Sequence, residues 1–225
     1  MRVIFNSVFI LAMVVAGQCQ VVDRMVAVVN KQVILQSELE QAAHIEFLLQ
    51  GKPLEQLTDA DVQAVLDRMI DQALLQQQIV NGAGLEPTPE EIAAQVSEVR
   101  AKIPGATADG NWKAMLAGYG VSEEDVELQI ASQVRILRLI DLRFRNLAHV
   151  DRTAISDYYK QKLVPELQKQ GAPEPPLSQV SEKIEKILTE QRIDDLLNSW
   201  LQTLRSQAHI QKLNASPSAA AGAAR

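Results

Sequence analysis

A mainly α-helical fold, opened by a β-hairpin and closed by a short strand, follows from three features of this 225-residue chain. From Ser37 onward the apolar residues recur at three- and four-residue spacing, the rhythm of one helix face. Glycine, proline and capping residues interrupt that rhythm at intervals suited to ordinary helices. Only residues 21–35, VVDRMVAVVNKQVIL, form a β-branched run broken by a polar turn, and only residues 209–213 read as a terminal edge strand.

Taken in order, Met1 and Arg2 precede an apolar run to Ala16 that is interrupted only at Asn6 and Ser7. A spanning helix needs about 20 apolar residues, whereas this run is shorter, basic in front and ends in Ala16 and Gly17. Residues 1–19 are therefore expected to be a signal peptide, cleaved between Gly17 and Gln20. Its removal leaves the exported chain one unit more negative than the −6 of the full sequence. Cys19 is the only cysteine, so stability has to come from packing and not from an internal disulfide. A lipid anchor on Cys19 is the weaker alternative, because Gln18 stands where lipoproteins carry a small residue.

In the hairpin, Asn30 suits the left-handed backbone of a tight turn. Ser37 with Glu40 reads as a capping box, starting a helix that runs to about Gln50. Gly51 and Pro53 break the chain. Thr58 with Asp61 caps a second helix carrying Val62, Val65, Leu66, Met69, Ile70, Ala73 and Leu74, expected to end at Asn81 and Gly82. Thr88 before Pro89 opens a third with Ile92, Val96, Val99 and Ile103 on one side, closed by Pro104 and Gly105. A short amphipathic piece around Trp112, Met115 and Leu116 stops at Gly118 to Gly120, and Ser122 caps a long helix after it. Its stripe, Val126, Ile130, Val134, Leu137, Ile140, Phe144 and Leu147, is widened by Leu128, Ile136, Leu139 and Leu142 beyond one face. That helix is either central or keeps apolar surface in water. A helix with Tyr158 and Tyr159 follows Val150; the loop Gly171 to Pro176 ends it, and a last helix runs from about Ser178 to Gln207. The tail from Asn214 is small-residue and expected to be disordered.

The charge balance, 22 basic against 28 acidic residues, leaves no basic field for nucleic acid or acidic lipid. His44, His149 and His209 lie far apart with no partner at ligand spacing, so no metal site is expected. There is no G-x-S-x-G elbow and no phosphate-cradling glycine loop, so neither a catalytic nucleophile nor a cofactor is expected. Glu90 with Glu91, and Glu123 to Asp125, sit in first helical turns, where the helix dipole accounts for them. Asn214 to Ser216 match a glycosylation sequon, a pattern of little weight when Pro217 follows. What is left is apolar helix surface, suited to binding unfolded chains. Leu116, Tyr119, Leu128, Ile136 and Leu139, which flank the main stripes, are the candidate client contacts.

The order of segments resembles a known family. VVDRMVAVVNKQVILQSELE, VLDRMIDQALLQQQIVNGAGLEPTPEEI, GYGVSEEDVELQIASQVRILRLI and LLNSWLQTLRSQAHIQKL are similar to the SurA-type periplasmic chaperones over most of residues 21–213. The resemblance implies a helical core joined by the C-terminal helix and closed by a small β-arch from the hairpin and the last strand. It also implies ATP-independent holding of unfolded outer-membrane proteins in the periplasm. In that family parvulin-type prolyl isomerase domains are inserted before the terminal helix; only the stretch between Tyr159 and Leu177 is available here, and no parvulin signature is present. The expected division is an N-terminal chaperone domain over 20–150, a connector over 151–177, a completing helix and strand over 178–213 and a tail over 214–225. A divergent prolyl isomerase, and an assembly protein that dimerises or docks one partner, are the alternatives.

Overall fold

The computed structural model describes residues 23–79 and 84–213. The signal segment, Cys19, Asn81 with Gly82 and the C-terminal tail lie outside the described residues, but the second helix already ends at Gln76, five positions before the expected Asn81–Gly82 stop. Strand β1 (Met25–Val29) and strand β2 (Gln32–Leu35) pair antiparallel, with Val29 opposite Gln32, and β3 (Ile210–Lys212) pairs antiparallel on the other side of β1. The strand order is β2-β1-β3, so the first and last described strands share one small sheet. Asn30 turns the hairpin at φ +58°, a left-handed conformation that asparagine tolerates better than other side chains. Its side chain also accepts the His209 N–H at 2.9 Å and donates to Gln77 at 2.7 Å, fixing the turn to both neighbouring elements.

Helix α1 spans Gln36–Leu49 and starts earlier than the Ser37 capping box implies. The Glu38 carboxylate, not that of Glu40, accepts the orphan Leu35 N–H at 2.9 Å, while the Ser37 hydroxyl donates to Asp23. The cap moved because β2 runs directly into the helix, leaving Ser37 already inside the first turn. Helix α2 (Asp59–Gln76) and helix α3 (Pro89–Lys102) begin at Thr58 and Thr88 with reciprocal bonds to Asp61 and Glu91. Helix α4 (Asp109–Gly118) leads through Tyr119 to Gly120 at φ +65° and then to α5 (Glu123–Phe144), capped by Ser122. The Asp125 carboxylate accepts the Ser122 N–H at 2.7 Å, and that bond holds its pKa below the ordinary value.

Beyond α5, helix α6 (Arg152–Tyr158) passes through a π-helical stretch, Tyr159–Leu163, into α7 (Val164–Lys169). Pro165 supplies the reason: it lacks an N–H and its ring crowds the carbonyl four residues back, which lies in the widened stretch. The 31-residue helix α8 (Leu177–Gln207) then returns along α6, α5 and α2 to deliver β3.

Two buried clusters result. The first joins Val26, Ala27, Val29, Ile34, Leu39, Leu66, Ile70, Leu74 and Leu204 from the sheet, α1, α2 and the end of α8. The second joins Ile45, Leu48, Val96, Ile103, Trp112, Leu116, Val126 and Ile130 from α1, α3, α4 and α5. Helix α1 serves both, with Leu39 and Ala43 in one and Ile45 and Leu48 in the other.

Candidate functional site

Helix α5 has too many apolar residues to hide. Val126 and Ile130 enter the second core and Phe144 is buried, yet Leu137 and Leu142 are 63% and 72% exposed. Leucines at single exposed positions are ordinary; these two sit in one groove of about 840 Å³ with Leu85, Val134, Ile140 and Ile193. The groove runs between the approach to α3, the outer face of α5 and the middle of α8.

Its walls are pinned from outside. Arg138 donates to the Glu86 carbonyl at 2.7 Å and meets the Glu91 carboxylate at 2.5 Å, tying α5 to the first turn of α3. At the other end the Arg143 guanidinium lies 4.2 Å from the Trp200 ring centroid, and Trp200 meets Phe144 edge-on at 5.5 Å. These contacts hold α8 against the end of α5 without filling the groove. Asp141 and Arg145, an i,i+4 ion pair, add a polar rim. The result is an open apolar floor with a charged border.

The five candidates from the sequence do not form one surface. Leu116 is 4% exposed inside the second core, so in this structure it offers nothing to a client. Tyr119 packs against that core and its hydroxyl donates to the Lys52 carbonyl at 2.7 Å. Ile136 packs against the first core and Leu139 is half-buried. Leu128, 63% exposed, borders a separate cleft between α1, α2 and α5. The structure instead brings together Leu137, from the main stripe, Leu142, one of the residues that widen it, and Ile193 of the last helix, none of which is among the five candidates. Five-residue spacing between the two leucines was the one available signal, since it departs from the three-and-four rhythm of a buried face.

Chemical groups are sparse around the groove. Among the described residues no cluster of His, Cys, Asp or Glu could hold a metal ion, and no helix is long and apolar enough to cross a membrane. His44 donates from Nδ1 to the Tyr119 carbonyl at 2.9 Å, joining α1 to the end of α4.

This helical framework is closed by a sheet of the first and last described strands and left open along α5. A family model described as the SurA-like N-terminal domain matches residues 1–140, and the chain belongs to that family. It is 30% identical over 157 residues to the protein named Chaperone SurA of Pseudomonas putida, covering 68% of this chain and 35% of that protein. Chaperone SurA of Hahella chejuensis is 28% identical over 148 residues, 64% of this chain and 33% of the relative. Chaperone SurA of Xanthomonas oryzae pv. oryzae is 31% identical over 129 residues, 55% and 27% respectively. The chain thus spans about a third of the length of the curated relatives it matches.

Proposed function

We propose that this chain is an ATP-independent holdase of the periplasm, sheltering unfolded outer-membrane proteins in the groove along α5. One observation carries the reading: Leu137 and Leu142 stand exposed beside Leu85, Val134, Ile140 and Ile193, although two complete cores lie next to them. Family membership and the chaperone names of the relatives support it, as does the signal-like opening for the compartment.

The energetics suit transient holding. Covering an exposed large apolar side chain contributes about 1.5–3 kcal/mol, so Leu137 and Leu142 would supply roughly 3–6 kcal/mol, with smaller additions from the already half-buried Leu85, Val134, Ile140 and Ile193. Association and side-chain ordering cost several kcal/mol. What survives corresponds to affinities weaker than micromolar, since about 8 kcal/mol is needed for a micromolar complex. A client held that loosely is released without nucleotide.

The test is suppression of aggregation of a urea-unfolded outer-membrane β-barrel protein diluted into buffer without nucleotide. The parent protein is expected to suppress it, and the double variant Leu137→Ser, Leu142→Ser to lose most of that effect at an unchanged melting temperature. Equal suppression by parent and variant, or none by the parent at several-fold excess, refutes the reading. In the same samples, cis to trans conversion of an X-Pro peptide is expected to stay at its uncatalysed rate of tens of seconds or longer. Acceleration would point to the isomerase alternative.

A further inference from the structure

The opposite side of α5 holds a different kind of site. Asp125, Leu128, Gln129 and Ser132 share a face about half a turn away from the one bearing Leu137 and Asp141. That face closes a cleft of about 230 Å³ against α1 and α2. Its floor is apolar, from Ile34, Ile45 and Met69, but its walls are amides, with Gln72, Gln76 and Gln129 around Ser132.

Ser132 is 7% exposed, a buried hydroxyl on a helix side otherwise suited to packing. Gln72 Nε2 donates to its Oγ at 2.6 Å and Gln76 Nε2 at 2.7 Å. Two donors occupy both lone pairs of a hydroxyl. The hydroxyl proton is then polarised and has no acceptor among the described residues, while both glutamine Oε1 atoms stay open to accept. Turning one amide over moves the spare donor from the hydroxyl to an amide nitrogen and leaves the count unchanged. A pin that merely fastened α5 to α2 would need one of these glutamines; two leave a donor over, with acceptors on both sides of it.

A spare donor flanked by acceptors, above an apolar floor, complements a peptide unit and its neighbours: a carbonyl for the donor, N–H groups for the amide oxygens, and a small apolar side chain below. The rim selects by charge. Glu38 and Asp125 border the cleft, Asp125 is held in its charged form by the Ser122 N–H, and no Lys or Arg lines it. An anionic segment or a free C-terminal carboxylate is repelled, whereas a neutral or cationic segment is not.

We infer that this cleft is a second recognition site, one that reads the backbone of an extended neutral or cationic peptide segment. It rests on the holdase reading only in that both sites would serve one client, and the groove and the cleft are separable by mutation.

The probe is the capped peptide acetyl-KAVAVK-amide, titrated into the ¹⁵N-labelled protein. The expected result is a saturable shift of the Gln72 and Gln76 side-chain amide resonances, weakened roughly three- to tenfold in Ser132→Ala, as for the loss of one hydrogen bond. Gln129→Ala, which removes no hydrogen bond among the described residues, keeps the test independent of folding and is expected to weaken binding at least twofold. The acid-flanked peptide acetyl-DAVAVD-amide is expected to bind at least threefold more weakly. No shift at Gln72 and Gln76, affinities unchanged in both variants, or equal binding of the two peptides overturns the inference. The groove variant Leu137→Ser, Leu142→Ser separates the two readings. If it loses client holding while the cleft fails to bind, the cleft inference falls alone. If the cleft binds but the groove variant holds clients normally, the groove reading falls alone.

Discussion

Asn30 joins three separate parts of the chain, which makes its replacement a sharp test of how the fold is closed. Its backbone sits at φ +58°, its Oδ1 accepts the His209 N–H at 2.9 Å, and its Nδ2 donates to Gln77 at 2.7 Å. Its own N–H donates to the His209 carbonyl at 2.8 Å, a bond that any residue would keep. Asn30→Ala loses the two side-chain bonds, about 0.5 kcal/mol each at an exposed site, and adds about 1 kcal/mol for a left-handed alanine. The expected cost is about 2 kcal/mol. Asn30→Gly loses the same bonds without the backbone penalty and should recover about 1 kcal/mol of it. Urea unfolding followed by circular dichroism measures both, provided the slope with denaturant is unchanged. Amide exchange at Ile210–Lys212 should accelerate in both variants, because β3 is docked through this turn. An alanine variant within 0.5 kcal/mol of the parent, or a glycine variant no better than the alanine one, refutes the account.

Other outcomes follow from the same structure. Leu48→Ala, at a position 1% exposed in the second core, is expected to cost about 2–5 kcal/mol. Because α1 belongs to both cores, Trp112 and Trp200 fluorescence should report one coincident transition in that variant; separate midpoints would show that the cores unfold independently. Arg143→Ala uncovers the Trp200 ring, so its emission should shift to the red with a loss of about 0.5–1 kcal/mol, and unchanged emission would remove the cation–π contact from the account. Asp61 and Asp125 have pKa values lowered mainly by their bonds to Thr58 and Ser122. The stability they add is therefore present above the unfolded-state carboxylate pKa, about 3.9, and is lost as pH falls through the lower folded-state values. Melting temperature should drop on acidification below about pH 4, less steeply in Thr58→Val, which removes the hydroxyl that lowers Asp61 most; parallel curves would mean that this cap does not contribute.

Much of this molecule is written locally. Capping boxes, the proline at the start of α3 and the Asn30 turn each depend on residues a few positions apart, so the starts of α2, α3 and α5 and the hairpin could be placed without knowing their neighbours, whereas α2 ends at Gln76, short of its glycine stop. Ser37 shows where that logic gives out: as a capping motif it is sound, but β2 leads straight into α1 and hands the cap to Glu38. The surplus of apolar residues on α5 was equally visible, and so was the conclusion that some had to be buried centrally or stay in water. Which ones was decided by tertiary structure. Leu116 is sealed by α1, α3 and α5, whereas Leu137 and Leu142 stay open because Arg138 and Arg143 hold α3 and α8 at the edges of that face and not across it. Periodicity fixes the direction in which a side chain leaves its helix. Whether another element stands in that direction depends on contacts between residues far apart in the chain, and no local pattern records them.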